Sequence, residues 1–517
     1  MPCVPAVPCH MTAVRIPVVI LVVLAVSCAA VGTAAERSPN VIFFLVDDMG
    51  WQETSVPFHV EPTSLNARYR TPAMERLARR GMKFTQAYAS AVCSPTRVSY
   101  LTGMNAARHG VTNWTLRRDR SPDSGHKFLK PPRWNVNGLA PAPGVERTVV
   151  ATPLPALLRT AGYRTIHCGK AHYGAQGTPG EDPRALGFDV NIAGHAAGGP
   201  GSYLGRHNFS ATRRKEGSIW DVPGLEAYHG QDIRLDEALT REAVKAIEAT
   251  VAERRPFYLS MTHYAVHAPW EADDRFLARY TEAGLKGQAA VLASMIDSMD
   301  KSLGDLLDAC ERLGVADDTV VIFMSDNGSP SQCPRNLPLR GHKITCYEGG
   351  SRVPMIVAWP GVTAPGSTCT APVIVDDVFP TVLDIAAVTE RDTVQTVDGV
   401  SLAPLLRGEP PAGDRELVWH FPHSYSGQRP FSSIRVGPWK LIYHHAECTP
   451  ELFDLVADIG ESRDLASDRP DVVADLAGRL ARRLEERHAF MPIDTRTGRP
   501  VDVSAIELSE PAGIDVP

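Results

Sequence analysis

Five short apolar runs, each ending at polar residues, constrain this chain most: Val41 to Val46, Tyr163 to Cys168, Phe257 to Met261, Thr319 to Met324 and Val353 to Trp359. Their length and β-branched content are those of strands. Helical patterns lie between them. Thr71 before Pro72 and Gly81 after Arg80 bracket one helix, and Leu292, Met295, Ile296, Met299, Leu303, Leu306, Leu307 and Cys310 mark the buried face of a longer one. This alternation predicts an α/β fold with a large, mostly parallel sheet sandwiched by helices. Functional residues in such a sheet gather at the carboxyl ends of strands. After about Leu406 the character changes. Leu417 to Phe421, Ser433 to Val436 and Trp439 to His444 read as short strands, and Val472 to Leu484 as an amphipathic helix. The expected organisation is a targeting segment over 1–35, a main domain over 36–406, and a smaller C-terminal α+β domain over 407–517 carrying a short antiparallel sheet.

With 517 residues and 44% hydrophobic content the chain can bury a large core. Arg15 precedes an uninterrupted apolar run from Ile16 to Ala30, and Thr33-Ala34-Ala35 offers small residues for cleavage before Glu36. This reads as a signal peptide, too short for a spanning helix, so export to the periplasm or the exterior is expected, with no membrane span after cleavage. Ala25-Val26-Ser27-Cys28 also resembles a lipoprotein box, which keeps a lipid anchor at Cys28 open. Export permits disulfides, but Cys168, Cys310, Cys333, Cys346, Cys369 and Cys448 allow fifteen full pairings and the sequence does not choose. The formal net charge of −6 argues against nucleic acid as a partner. Any anionic substrate must be captured locally.

The segment Cys93-Ser94-Pro95-Thr96-Arg97, followed by Val98-Ser99-Tyr100-Leu101 and Thr102-Gly103, has the pattern Cys-x-Pro-x-Arg-x4-Thr-Gly. Pro95 suits a first helical turn and Gly103 a helix end, which puts position 93 at a helix N-terminus, where negative charge is favoured. A buried or disulfide-bonded cysteine beside a helix-starting proline is the plainer reading. Asp47-Asp48 follows the first strand, and Asp326-Asn327-Gly328 follows the fourth after Ser325. Two oxygen-rich pairs at strand ends suit a hard divalent cation. Each alone is also a common solvated turn.

The eleven-residue segment resembles the signature of type I sulfatases, of the alkaline phosphatase superfamily, in which a maturation enzyme oxidises the cysteine to formylglycine. Further segments resemble the same family: Gly169-Lys170-Ala171-His172, His267-Ala268-Pro269, and Leu339-Arg340-Gly341-His342-Lys343 leading into Tyr347 to Pro354. The resemblance implies a metal, calcium or else magnesium, bound by Asp47, Asp48, Asp326, Asn327 and the oxygen of modified Cys93. It places Arg97, Lys170, His172, His267 and Lys343 with Cys93 in the catalytic machinery. His263, also at a strand end, either contacts substrate or satisfies a buried group. Most glycines of the last segment serve turns, and Glu348 with Arg352 reads as a structural ion pair.

The implied activity is hydrolysis of sulfate esters, with arylsulfatases and carbohydrate sulfatases as the nearest types and sulfated glycans as the expected substrates. Two alternatives stay open: a phosphonate or phosphodiester hydrolase of the same superfamily, and a secreted sulfated-glycan-binding protein that never matures Cys93. Trp114, Arg117, Arg118, Trp134, Trp220, His229, Trp270, His420 and His423 are of types that line sugar subsites, and equally of types that pack or face solvent.

Overall fold

The computed structural model describes residues 1–8, 10, 13, 38–211, 218–331 and 335–505. The chain divides into two compact units, 1–37 and 38–517. In the first unit the described residues form no helix or strand. The apolar run Ile16 to Ala30, the cleavage segment and Cys28 lie outside the described residues, as does Cys333. Everything that follows concerns the second unit.

Its large sheet is built from β1 (Asn40–Val46), β2 (Met82–Tyr88), β3 (Arg164–Gly169), β4 (Val190–Ile192), β5 (Phe257–Thr262), β6 (Thr319–Ser325), β7 (Arg352–Ala358) and β8 (Ser367–Cys369), in the order β8-β2-β7-β6-β1-β5-β3-β4. A further short strand, β9 (Val373–Ile374), also pairs with β2. From β6 through β1, β5 and β3 to β4 all pairings are parallel. β7 runs antiparallel to both β6 and β2, so the sheet is mixed at that side. All seven residues of β1 are buried, as a strand in the middle of a sheet covered on both faces requires. Its side chains alternate. Val41, Phe43 and Leu45 feed one core, and Ile42, Phe44 and Val46 feed the other.

The five expected strands all form, within one or two residues of their sequence limits. The bracketed helix is α1 (Pro72–Arg80). The signature forms α2 (Cys93–Thr102), and it ends at Gly103, whose φ of +69° is the left-handed conformation that glycine adopts freely. The covering helices include α3 (Leu235–Ala252) and α4 (Gly287–Arg312), and α4 buries all eight of the apolar residues read from its periodicity. Each large apolar side chain buried in this way contributes about 1.5–3 kcal/mol. No described helix is long and apolar enough to cross a membrane.

The C-terminal part forms an antiparallel four-stranded sheet, β10 (Glu416–Phe421), β11 (Phe431–Val436), β12 (Trp439–His444) and β13 (Thr449–Asp454), paired in sequence order. One face packs on α5 (Pro470–Glu486) through Val418, Ile434, Leu441 and Leu452 against Val473, Leu476 and Leu480. The other face sends Leu417, Trp419, Phe421 and Ile442 into the core that also holds Val41 and Phe43. A buried ion cluster ties the two sheets. Lys440 Nζ lies 2.9 Å from both Glu348 Oε1 and Glu461 Oε1, while Glu348 Oε2 accepts from Arg352 at 3.2 Å and from the Tyr88 hydroxyl at 2.6 Å. The expected Glu348–Arg352 pair is therefore part of a larger structural junction. Cys168, Cys310, Cys346, Cys369 and Cys448 are unpaired.

Candidate active site

Because β1, β3, β5 and β6 run parallel, the residues that follow them emerge at one end of the sheet. Asp47 and Asp48 follow β1, Asp326 and Asn327 follow β6, Lys170 follows β3, and the His263–His267 segment follows β5. Backbone bonds fasten these ends together: Asp326 N donates to Val46 O at 2.9 Å, Lys170 N to Thr262 O at 2.7 Å, and Asp47 N to Ala265 O at 2.9 Å. The N-terminus of α2 faces the same place. Ligand atoms of Asp47, Asp48, Cys93 and Asp326 all lie within 4.8 Å of one another, and all four residues are buried.

Three cations surround these acids. Arg97 grips Asp326 Oδ2 with Nε at 3.1 Å and Nη2 at 2.8 Å, and donates through Nη1 to Lys170 O at 2.7 Å. Lys170 Nζ donates to Asp47 Oδ2. Lys343 Nζ sits 2.5 Å from Asp48 Oδ1 and 3.2 Å from Cys93 Sγ. Burial, then the neighbouring Asp326, holds the Asp47 carboxyl well above its ordinary range, with Lys170 opposing. Burial also pushes on Asp48, but Lys343 and His267 outweigh it and hold that carboxyl low. Burial works against the Lys343 ammonium too, and Asp48 more than compensates, so its pKa lies well above the ordinary value.

A hard divalent cation fits here. The donor set is oxygen-rich, the crowded carboxylates repel one another, and Asn327 Oδ1 is buried with no hydrogen-bond partner. The Asn327 amide nitrogen is already committed to Asp48 Oδ1 at 2.7 Å, which leaves the carbonyl oxygen as the unspent ligand.

Burial raises the Cys93 thiol to about 11, although Lys170 and Lys343 pull against it. As a plain cysteine it is therefore protonated at neutral pH and a weak nucleophile. The histidines flank it. His267 donates through Nδ1 to Ala268 O at 2.8 Å, and its Nε2 lies 3.9 Å from Asp48 Oδ2. His172 donates through Nε2 to Thr115 O at 2.7 Å, and its Nδ1 is buried without a partner. Burial, opposed by Asp48, brings His267 down to about 4, and burial with Lys170 and Arg97 holds His172 well below its ordinary value. Both rings are thus neutral at pH 7 in the free protein.

A cavity of about 160 Å³ opens at this cluster, and Cys93, His172, His267 and Lys343 are among the residues that line it. The sequence-derived residues are therefore brought together, with one departure. His263 is fully buried, hydrogen-bonded through Nε2 to Ser302 Oγ at 2.9 Å on α4 and packed on Phe44, and it does not line the cavity. Of the aromatic and basic candidates only Trp114 and Trp220 line it. His423 is buried between Asp123 and Thr112, both at 2.7 Å, and His420 between Ser432 and Phe490. Two contributions have no sequence signal. Tyr425 reaches the cavity from the β10–β11 hairpin, and Gly198 and Gly199 pack against the rings of His172 and His267.

This geometry has counterparts. The family model described as Sulfatase matches residues 39–388, and that described as N-sulphoglucosamine sulphohydrolase, C-terminal, matches residues 342–489. A sulfatase of Formosa agariphila is 30% identical, with 87% of this chain and 88% of that protein covered. The N-acetylgalactosamine-6-sulfatase of Mus musculus is 31% identical, covering 75% of this chain and 70% of the relative. Among solved structures, Ps i-CgsB superposes with a TM-score of 0.71 at 25% identity over 87% of this chain and 94% of that one. With matches of this extent, the chain belongs to the sulfatase family and is a sulfuric ester hydrolase.

Proposed function

We propose that this chain removes sulfate from sulfated carbohydrates, using formylglycine made from Cys93 and a divalent cation, calcium in the first instance, held by Asp47, Asp48, Asp326, Asn327 and residue 93. The observation that carries this reading is the setting of Cys93. It is a buried, protonated thiol at a helix N-terminus, 3.2 Å from an ammonium and within 4.8 Å of three carboxylates. Burial outweighs what the two lysines offer a thiolate there, whereas an oxygen at the same place meets both the cation site and the helix terminus.

When present, the hydrated aldehyde supplies one hydroxyl to attack sulfur and a second to expel the sulfate, and the cation favours ionisation of the first and offsets sulfate charge. The chain's own residues do the rest. Lys343 places its ammonium where the sulfuryl oxygens and residue 93 meet, and Arg97 and Lys170 add positive charge from below. His267 offers Nε2 to the departing alcohol oxygen; the arriving sulfate anion raises its pKa so that it can carry a proton there. His172, with Nδ1 unspent, is placed to take a proton from residue 93 in the second half of the cycle. Net, a C–O–S ester and water give the alcohol and hydrogen sulfate.

Carbohydrate substrates are supported by the relative named N-acetylgalactosamine-6-sulfatase and by the aromatic lining of the cavity. The apolar run at Ile16 to Ala30 supports export, and with it maturation of Cys93 by a formylglycine-generating enzyme, with cleavage before Glu36 or lipid attachment at Cys28. The test is turnover of matched sulfate and phosphonate esters of one alcohol by the matured protein. Preference for the sulfate is expected; preference for the phosphonate would overturn the assignment.

A further inference from the structure

Resting on the reading just given, we propose that His423 and Asp123, which do not line the cavity, are positioning residues for sulfate release: through Thr112 and Asn113 they fix the segment whose Thr115 carbonyl sets the ring and the proton of His172. Thr115 O accepts from His172 Nε2 at 2.7 Å. A carbonyl oxygen only accepts, so it keeps the proton on Nε2 and leaves the lone pair on Nδ1, which is buried and unspent. The direction of that one carbonyl therefore decides where the ring points and which nitrogen takes a proton from residue 93.

Regular structure does not aim this carbonyl. Residues 110–118 form neither helix nor strand, so no ladder holds them. Because a peptide unit is planar, a carbonyl is aimed only when the chain is fixed on both sides of it. On the downstream side Leu116 O accepts from Gln176 N at 2.9 Å, and Thr115 N donates to Ser94 Oγ, next to residue 93, at 3.2 Å. On the upstream side Val111 N donates to His109 Nδ1 at 3.0 Å, and the next two residues are held by the proposed pair. His423 Nε2 lies 2.7 Å from Thr112 Oγ1, and its Nδ1 lies 2.7 Å from Asp123 Oδ1, which also accepts from Asn113 Nδ2 at 3.3 Å. Asp123 Oδ2 accepts from Ser121 Oγ at 2.6 Å, and that hydroxyl accepts from Trp134 Nε1 at 3.0 Å.

His423 is fully buried and stands edge-on to Trp134 and to Phe421, each with ring centroids 5.1 Å away at 69°. Apolar packing of this kind resists separation but gives little direction. The imidazole, with polar partners on both sides, supplies the direction. Burial pushes the Asp123 carboxyl up, but His423 and Ser121 outweigh it and hold it below its ordinary range, so the partner of the imidazole is a carboxylate. His423 belongs to the hairpin between β10 and β11, so these contacts tie the C-terminal sheet to the segment that holds His172. Ser124 N, donating to Ser424 O at 2.7 Å, fastens the same two loops one residue further on.

The experiment is rapid mixing of the matured, metal-loaded enzyme with nitrophenyl sulfate, for wild type, Thr112→Val, Thr112→Ser, His423→Phe and His172→Ala. Valine keeps the volume of Thr112 and removes its hydroxyl, whereas serine keeps the hydroxyl and removes a methyl. Thr112→Val and His423→Phe are expected to release the first nitrophenol within about twofold of the wild-type rate and then to turn over at least about tenfold more slowly, a partial form of the stall expected of His172→Ala. Thr112→Ser is expected to stay within about threefold of the wild-type steady rate, the reverse of the order that packing volume alone would give. Should His423→Phe fail to fold, the Thr112 pair decides alone. An unchanged steady rate in Thr112→Val overturns the inference, and so do equal losses in Thr112→Val and Thr112→Ser, or a loss that falls equally on the first release. If His172→Ala stalls while any of these is seen, the catalytic reading stands and only the positioning role is overturned; if His172→Ala does not stall, both are overturned.

Discussion

A Cβ on Gly198 would stand 2.5 Å from Cε1 of His172, closer than side-chain atoms approach one another. The neighbouring Gly199 is in the same relation to His267, with 2.9 Å to Nδ1. One glycine pair therefore lets a single loop close over both histidines. Gly198→Ala is predicted to shift the His172 ring, lowering kcat by about a hundredfold, since displacements of about 1 Å cost that much. Because the overlap is with a side chain, unfolding should change by only about 1–3 kcal/mol. Turnover measured together with thermal unfolding checks this, and an unchanged kcat would show that His172 is not held by this contact.

Metal binding should be legible without any substrate. Asp47, Asp48 and Asp326 are crowded and buried, so a cation that binds only the folded chain stabilises it, by about 2.7 kcal/mol at a hundredfold excess over Kd. Added calcium is predicted to raise the Tm of the wild type and not that of Asp326→Asn. Equal calcium content per chain in the two proteins would contradict the assigned ligand set.

The two histidines should fail in different ways. If His267 protonates the leaving oxygen, His267→Ala loses far more activity on a sulfated sugar than on a nitrophenyl sulfate, whose alcohol departs unaided. If His172 acts only in the second half of the cycle, His172→Ala releases about one alcohol per chain and then stalls. Rapid-mixing kinetics on both substrates decides, and equal losses on both for His267→Ala, or no burst for His172→Ala, would reassign the roles.

Asp376 gives a pH dependence far from the site. Burial, helped by Asp398 and Asp377 and opposed by the hydrogen bond from Asn105, raises its carboxyl from 3.8 to about 7. The folded state thus favours the protonated form. Its stabilising contribution is complete below pH 3.8 and is lost as pH rises toward about 7. Asp376→Asn keeps an acceptor for Asn105 Nδ2, which bonds Asp376 Oδ2 at 2.9 Å, without the charge. It should be more stable than the wild type at pH 8, by an amount on the order of a few kcal/mol, and lose that advantage by pH 4. Denaturant midpoints across this range test the sign; a pH-independent difference would refute it.

The β-branched runs announced the central strands because those strands are buried on both faces and need no polar alternation. β2 escaped the same reading. Lys83, Thr85 and Gln86 interrupt its apolar residues, and it owes its place to antiparallel pairing with β7, which its own pattern does not encode. The acids, the signature cysteine and Lys170 were legible because each follows a strand or opens a helix, whereas Lys343 sits in a loop and was legible only through the resemblance of its segment. His263 and His267 could not be separated by position alone. The fold decides by turning His263 into the core toward Ser302 and leaving His267 at the cavity. Tyr425 carried no local signal, because it meets Trp114 only after the C-terminal sheet docks on the shared core.

The central claim is that residue 93 works as formylglycine rather than as a thiol. Mass analysis of the peptide containing position 93, taken from a preparation coexpressed with a maturation enzyme and assayed for sulfate release alongside Cys93→Ala, tests it directly. The aldehyde mass at position 93 is predicted, with activity proportional to its fraction and absent from folded Cys93→Ala. Full sulfate release from protein whose Cys93 is an unmodified thiol, or from Cys93→Ala, would contradict the account.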